Sequence, residues 1–558
     1  MSKGKTLLEY FYDFEKSKPN AVYLRQPKGD EWIEYTWAEV GDQARRMASA
    51  IKAMNLPPRT HIGITSKNCA HWIMADLAIM MSGHVSVPFY ATLSGKQINQ
   101  VLDLSDTKVL FVGKLEVWDN MKTGIPDDVQ CISFPHYEGN DKIEGFTKWE
   151  DLIAKHEPMK ENYYPKLDDL FTIIYTSGTT GTPKGVMLTF NAVTALLDME
   201  REVNNFRLFD SEDNRFFSYL PLNHIAERNV VEAASLFSGG TVAFAESLDT
   251  FAKNLSDASP TVFLAVPRIW KKFQLGILSK LPQSRLNLLL RIPVVKNAIK
   301  KKIRTGLGLN SANVLLTGAA PMPASLIEWF RKFDLNVREV YGMTENSGGC
   351  TLMPEKGGKP GTVGKPHAMC EVRIHEDTGE VLMRAPWNMT GYYKAEAKTK
   401  EVIDEEGWLH TGDKGVMTPD GYLKLTGRVK DTFKSAKGQY IVPGPIEFKF
   451  AKNDYIEQIC VAGLGAPQPV AMIVLSEAGM AEDQSLISKN LEETLAGINK
   501  ELENYKRIGA LVVIKDPWSV ENGVLTPTLK IKRNVLDDKY LEDYVTWCND
   551  KRKVIFEE

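Results

Sequence analysis

The sequence predicts an α/β protein: a large N-terminal domain of parallel-rich sheets covered by helices, then a small mobile α+β C-terminal domain. Three observations carry this. Short β-branched runs alternate with helical patterns through residues 1–170, the signature of a parallel sheet covered on two sides. Several later strand-like runs end in turns of glycine and other small residues, where open α/β sheets bind ligands. A charged, glycine-preceded junction at 427–431 is followed by a different pattern, two strand-like runs and one long helix. The boundaries read from this are 1–427 for the large domain, 428–431 for a hinge and 432–558 for the small domain. A chain of 558 residues has room for about three or four typical units.

In chain order, Thr36 and Glu39 form a capping-box pattern that starts a helix running to Met54. His61–Thr65 and Val85–Phe89 read as strands, and the apolar run Trp72–Met81, interrupted by Asp76, as a core helix. His61, His71 and His84 have no partner at a useful spacing and are read as structural. Phe171–Tyr175 is a buried strand, and Gly185–Thr189 another. Between them Thr176, Ser177, Gly178, Thr179, Thr180, Gly181 and Lys184 make a loop rich in glycine and hydroxyls. Glycine lets backbone N–H groups approach an anion, and Lys184 adds a point charge suited to phosphate. Pro183 keeps Thr182 extended, so the pattern is strand–loop–strand, unlike the strand–loop–helix of a Walker loop.

The string TSGTTGTPKG resembles the phosphate-loop signature of the adenylate-forming superfamily, which includes acyl-CoA synthetases, luciferases and adenylation domains. Further strings resemble that superfamily in the right order, over about residues 170–535. LPLNHIAER resembles the long-chain acyl-CoA synthetases, which implies that His224 lines the acyl pocket beside the reacting carboxylate. The bland reading of its neighbours is a surface pair between Glu227 and Arg228. Thr317 leads into Gly318, Ala319 and Ala320, which the resemblance assigns to the adenine and acyl pockets. YGMTE resembles the motif YGxTE: Tyr341 and Gly342 flank the purine, Thr344 contacts the α-phosphate, and Glu345, with Thr176, is assigned to Mg²⁺. A carboxylate plus phosphate oxygens is the usual way Mg²⁺ is held on a nucleotide. Asp413, read as the end of a βα-type segment, and Arg428 are assigned to the ribose, and Lys430 to the hinge.

In the small domain Lys434 and Tyr440 lie in a loop that resembles the one entering the site during thioester formation, although Ala436-Lys437 departs from the family pattern. LTPTLKIKR resembles the closing motif of the long-chain branch. Lys530, three residues before Arg533, is the implied catalytic lysine, and Lys532 is its alternative because Leu529 replaces the usual glycine. The implied activity is ATP- and Mg²⁺-dependent conversion of a fatty acid, by long-chain resemblance, to acyl-AMP and then to a CoA thioester. Two alternatives stay open: an adenylating enzyme that takes another class of acid, such as an aryl acid, or loads a carrier protein, and a silent lipid- or nucleotide-binding protein.

Composition bounds the partners. Hydrophobic content of 43%, charged content of 25% and a net charge of −3 describe an ordinary globular chain with no call for a nucleic-acid partner. Six scattered cysteines lack C-x-x-C spacing and fit a reducing compartment, hence a cytoplasmic location. No apolar run has the length of a membrane span. From Arg268 to Arg304, however, there are eleven Lys or Arg and no Asp or Glu, with apolar residues interleaved. This reads either as a solvated face over the core or as a peripheral membrane contact.

Overall fold

The computed structural model describes residues 4–176, 182–520, 522–526 and 530–557, and divides into two compact units. Of the described residues, the first holds 4–176, 183–371 and 383–409, and the second holds Thr182, Val372–Leu382 and those from 410 to 557.

The first unit contains two large sheets among its described residues. The eight-stranded sheet has Leu170–Thr176, Val85–Phe89, His61–Ser66, Val109–Gly113, Gln130–Ser133 and Thr147–Lys148 side by side and parallel. Lys184–Thr189 then pairs antiparallel with Leu170–Thr176, and Gly391–Tyr392 pairs antiparallel with Lys184–Thr189. The loop carrying the glycines therefore does join two adjacent strands. The nine-stranded sheet has a parallel centre: Thr241–Phe244, Arg215–Ser218, Val262–Ala265, Val314–Thr317 and Val337–Tyr341. Val22–Lys28 and Glu31–Thr36 form an antiparallel hairpin at its edge, so the first strands of the chain serve the second sheet, not the first. A hairpin this local leaves no long-range sign in the sequence.

The helices follow their local signals. Trp37–Ala53 starts at the expected box: the Glu39 N–H donates to Thr36 Oγ1 at 3.2 Å and the Thr36 N–H to Glu39 Oε2 at 2.8 Å. Ala70–Met81 is buried on all sides, as a helix apolar around its whole circumference must be. Trp37 stacks on Tyr23 with ring centroids 3.9 Å apart in the same core. His71 sits among Phe134, Tyr137 and Trp149, and burial pushes its imidazole down to about 3, so it is neutral there.

The second unit has most of a sheet in the order Glu371–Ile374, Glu380–Arg384, Leu409–Met417, Leu423–Arg428. It also has a hairpin, Phe433–Lys434 with Tyr440–Ile441, and a four-stranded sheet begun by Ile456–Ala462 and Val470–Leu475. The long helix is Gln484–Glu501, its apolar stripe Ile487, Leu491, Leu495 and Ile498 turned inward. This is the small α+β part expected from the sequence. Among the described residues, no helix is long and apolar enough to cross a membrane.

Candidate active site

In the first unit Thr176, Gly318 and Gly342 lie at or just beyond the carboxyl ends of strands, and Lys184 opens the strand that pairs with the first of these. Thr176 and Lys184 are directly paired across the two strands flanking the glycine loop, and Thr176 Oγ1 donates to the Lys184 carbonyl at 3.5 Å. Ser177, Gly178, Thr179, Thr180 and Gly181 lie outside the described residues. Lys184 Nζ stands 4.8 Å from the ring centre of Tyr392. The Tyr392 hydroxyl in turn donates to Glu345 Oε1 at 2.8 Å. One tyrosine thus links the loop lysine to the carboxylate assigned to the metal. Burial, reinforced by Glu345, raises the Tyr392 phenol, so it stays a donor. Tyr392 belongs to none of the motifs read from the sequence; its place is fixed by the pairing of Gly391–Tyr392 with Val186 and Met187.

Thr344, Glu345 and Asn346 form a single 3₁₀ turn, all buried, after the strand Val337–Tyr341. Gly342 lets the chain enter that turn: a Cβ there would lie 2.2 Å from the Gly348 carbonyl oxygen. The turn is tied down by the Asn229 Nδ2 donating to the Ser347 carbonyl at 2.6 Å and by the Met389 N–H donating to the Glu345 carbonyl at 2.8 Å. Tyr341 is 9% exposed, so little of its ring is open to stacking.

At the neighbouring strand end, Gly318 is buried, while Ala319 and Ala320 are exposed. Ala319 has φ +64°, a conformation costly for alanine and frequent at functional sites. Thr317 and Glu339 are paired across the two strands, and each has a buried oxygen, Thr317 Oγ1 and Glu339 Oε2, without a partner among the described residues. Burial pushes the Glu339 carboxyl up to about 7. Both were passed over in the sequence because a Thr and a Glu inside a strand carry no motif.

His224 caps the short helix Ile225–Glu227, its Nδ1 accepting the Ala226 N–H at 3.3 Å. An accepting Nδ1 leaves Nε2 to carry the proton of the neutral ring. The surface pair expected of Glu227 and Arg228 is wrong. Arg228 is fully buried and donates to both Asp76 oxygens, at 2.9 and 3.0 Å, with Glu232 Oε2 at 3.3 Å. Its guanidinium lies 4.4 Å from the Phe171 ring centre. Glu227 is buried separately, accepting the Tyr219 N–H at 2.9 Å, and burial pushes its carboxyl up to about 8. The segment runs from the short helix Ile225–Glu227 into a π-helical turn, Arg228–Ala233, packed so that both side chains are buried.

In the second unit, Asp413 and Arg428 face each other across two antiparallel strands, with Arg428 Nε 3.0 Å from Asp413 Oδ1. Asp413 is therefore inside a β-ribbon and does not end a βα segment. Lys430 is exposed in the turn after Arg428. Its neighbour Asp431 accepts from Arg533 Nε at 3.1 Å, and Arg533 also forks onto Glu447 at 2.6 Å to each oxygen. The Lys530 N–H donates to Thr526 Oγ1 at 3.0 Å, and the Thr526 N–H donates to the Lys530 carbonyl at 2.8 Å. Arg533 thus anchors the Lys530 segment to the residue next to Lys430. Lys434 Nζ lies 5.6 Å from the ring centre of Tyr440, its partner across the hairpin.

The donor set fits Mg²⁺ brought in with a polyphosphate. Glu345 is a buried carboxylate oriented by Tyr392, and the described residues contain no cluster of three or more His, Cys, Asp or Glu that would cage a metal alone.

Residues 11–393 match the AMP-binding enzyme family, and residues 430–544 match the AMP-binding enzyme C-terminal domain. The chain belongs to the AMP-binding enzymes. It is 28% identical over 574 residues to "Long chain acyl-CoA synthetase 6, peroxisomal" of Arabidopsis thaliana, covering 92% of this chain and 81% of that protein. It is 29% identical over 596 residues to "Long-chain-fatty-acid–CoA ligase 5" of Mus musculus, covering 95% and 87%. Its fold is also that of the o-succinylbenzoate CoA synthetase of Bacillus subtilis solved with an acyl-adenylate, with a TM-score of 0.74, 22% identity and coverage of 95% and 98%.

Proposed function

We propose that this AMP-binding enzyme is an ATP-dependent fatty-acid–CoA ligase acting on long-chain acids. The observation that carries the reading is the chain Lys184–Tyr392–Glu345, which joins a phosphate-type loop to a buried carboxylate. The names of the relatives support the acid and the thiol; the aryl-acid ligase among its fold neighbours keeps an aryl acid as the second reading.

A carboxylate is a poor electrophile because oxide is a prohibitive leaving group. In the proposed first step a carboxylate oxygen bonds to the α-phosphorus of ATP, and pyrophosphate leaves. In the second, the CoA thiol bonds to the acyl carbon, the C–O bond breaks, and AMP departs with that oxygen. Charge crowds onto phosphate oxygens in the first step, so fixed donors matter most there. Lys184 and the loop backbone, Thr344 and Lys530 are the donors assigned to it. Glu345 and Thr176 would hold Mg²⁺, which would supply Lewis-acid charge neutralisation there. The orphaned oxygens of Thr317 and Glu339 flank the Gly318–Ala320 turn and suit an amino donor such as that of adenine. Asp413 carries the ribose, held in place by Arg428, and His224 borders the acyl carboxylate.

The thiol and pyrophosphate need different surfaces, so the proposal includes rotation of residues 432–558 about Lys430, bringing Lys434 and Tyr440 into the second step. Peripheral membrane contact through 268–304, in a cytoplasmic enzyme, is part of the same reading. The test is pyrophosphate release from ATP over a panel of acids, with and without CoA. The reading expects release that depends on a long-chain acid and continuous turnover only with CoA. Release with aryl acids alone supports the second reading, and release with no acid at all rejects both.

A further inference from the structure

Three successive helices, Pro267–Lys280, Gln283–Leu289 and Pro293–Gly306, form a corner of the first unit that the nucleotide chemistry does not use. The first packs Trp270 into the core and the second packs Leu286. The third has no buried residue and rests on the core only through half-buried Ile299 and Ile303. A cleft of about 450 Å³ opens here, lined by Asn287, Arg291, Lys296, Lys300, Arg331 and Lys332 among others. That is within the ~300–1,000 Å³ typical of small-molecule sites.

The cleft converges positive charge. Lys300 is tied to Asp334 at 2.6 Å, and Arg331 points both terminal nitrogens at the Gly358 carbonyl, at 3.4 and 3.3 Å. Arg291, Lys296 and Lys332 have no carboxylate partner among the described residues; the acids on the neighbouring element are Asp334 and the exposed Glu328. Converging cations repel, and an anion with several oxygens relieves that repulsion. The same stretch exposes apolar side chains between the cations: Leu288 at 61%, Ile292 at 45% and Val294 at 84%. Single apolar residues on a surface are ordinary, but three within seven positions beside unpaired cations match the chemistry of a headgroup–acyl boundary.

We propose that this corner docks on an anionic lipid bilayer, seating a lipid phosphate in the cleft while Leu288, Ile292 and Val294 enter the interface. The proposal deepens the membrane contact of the ligase reading and rests on that reading for its purpose, delivery of a membrane-dissolved acid; the docking itself does not depend on catalysis.

The test is flotation of the full chain with vesicles of phosphatidylcholine alone or with phosphatidylglycerol added, at low and high NaCl. Protein should float with the anionic vesicles and be released as salt rises. R291Q/K296Q/K332Q should lower vesicle affinity at least about tenfold. L288S/V294S should abolish whatever binding survives high salt. Both variants should melt where the unaltered protein does and release pyrophosphate normally from an acid supplied in solution. Absence of acid-dependent pyrophosphate release from the unaltered protein counts against the ligase reading and leaves flotation to judge the docking. The docking is overturned if the unaltered protein ignores anionic vesicles, if both variants float as well as it does, or if the cation variant loses only binding to a soluble polyanion such as heparin.

Discussion

Tyr392 is where a single side chain does most to organise the phosphate end of the site. Its ring faces the Lys184 ammonium and its hydroxyl orients Glu345. Tyr392→Phe keeps the ring and deletes only the hydrogen bond to a carboxylate, worth about 1.5–3 kcal/mol. Adenylation should slow by roughly tenfold or more, read as acid-dependent pyrophosphate release, with little change in melting temperature. The motif strings that hold Thr176, Lys184, Thr344 and Glu345 were legible in the sequence, and the roles proposed for these residues come from them. Tyr392 was not: nothing in the string Gly-Tyr-Tyr says which strand it will pair with, and that pairing alone gives it a role.

The element that turns inward at His224 carries two further consequences. Arg228 is held by Asp76 from the buried helix Ala70–Met81, so removing the carboxylate strands a guanidinium in the core. Asp76→Ala should cost about 3–5 kcal/mol, measured by denaturant unfolding, a loss much larger than any surface pair provides. Glu227 sits on the same short helix with a carboxyl pushed up to about 8 by burial. A raised carboxyl adds stability that is complete below its ordinary value near 4.5 and is lost as pH rises toward 8. Glu227→Gln should flatten that loss, gaining on the order of 3 kcal/mol relative to the unaltered protein between pH 5 and 8, followed by melting temperature. Sequence patterns located these elements well where they were periodic or capped, as at Thr36–Glu39 and over Trp72–Met81. They failed at Glu227–Arg228, because two adjacent charges look solvated until a π-helical turn and a distant Asp76 are known. Asp413 failed similarly: a Thr-Gly-Asp string does not reveal whether an antiparallel partner follows.

For the whole molecule, the central claim is that the acid is joined to the α-phosphate of ATP as an acyl-adenylate before it meets the thiol, so that two half-reactions share one nucleotide. Lys530 is assigned to the first alone. Its segment is anchored through Arg533 to Asp431, so it should travel with the small unit and not act locally. Lys530→Ala should abolish acyl-adenylate formation yet still convert supplied acyl-adenylate to thioester; equal loss of both contradicts the assignment. Parallel sheets covered by helices were legible in the alternation of strands and helices, whereas the number of sheets and the one joined by the hairpin over 22–36 were not, since edge pairing depends on contacts hundreds of residues away. The most direct measurement of the central claim follows a carboxyl oxygen. With a fatty acid labelled with ¹⁸O in both carboxyl oxygens, ATP and CoA, mass spectrometry should find one ¹⁸O in the AMP and one in the thioester carbonyl. Label in pyrophosphate or in inorganic phosphate, with none in AMP, would contradict it.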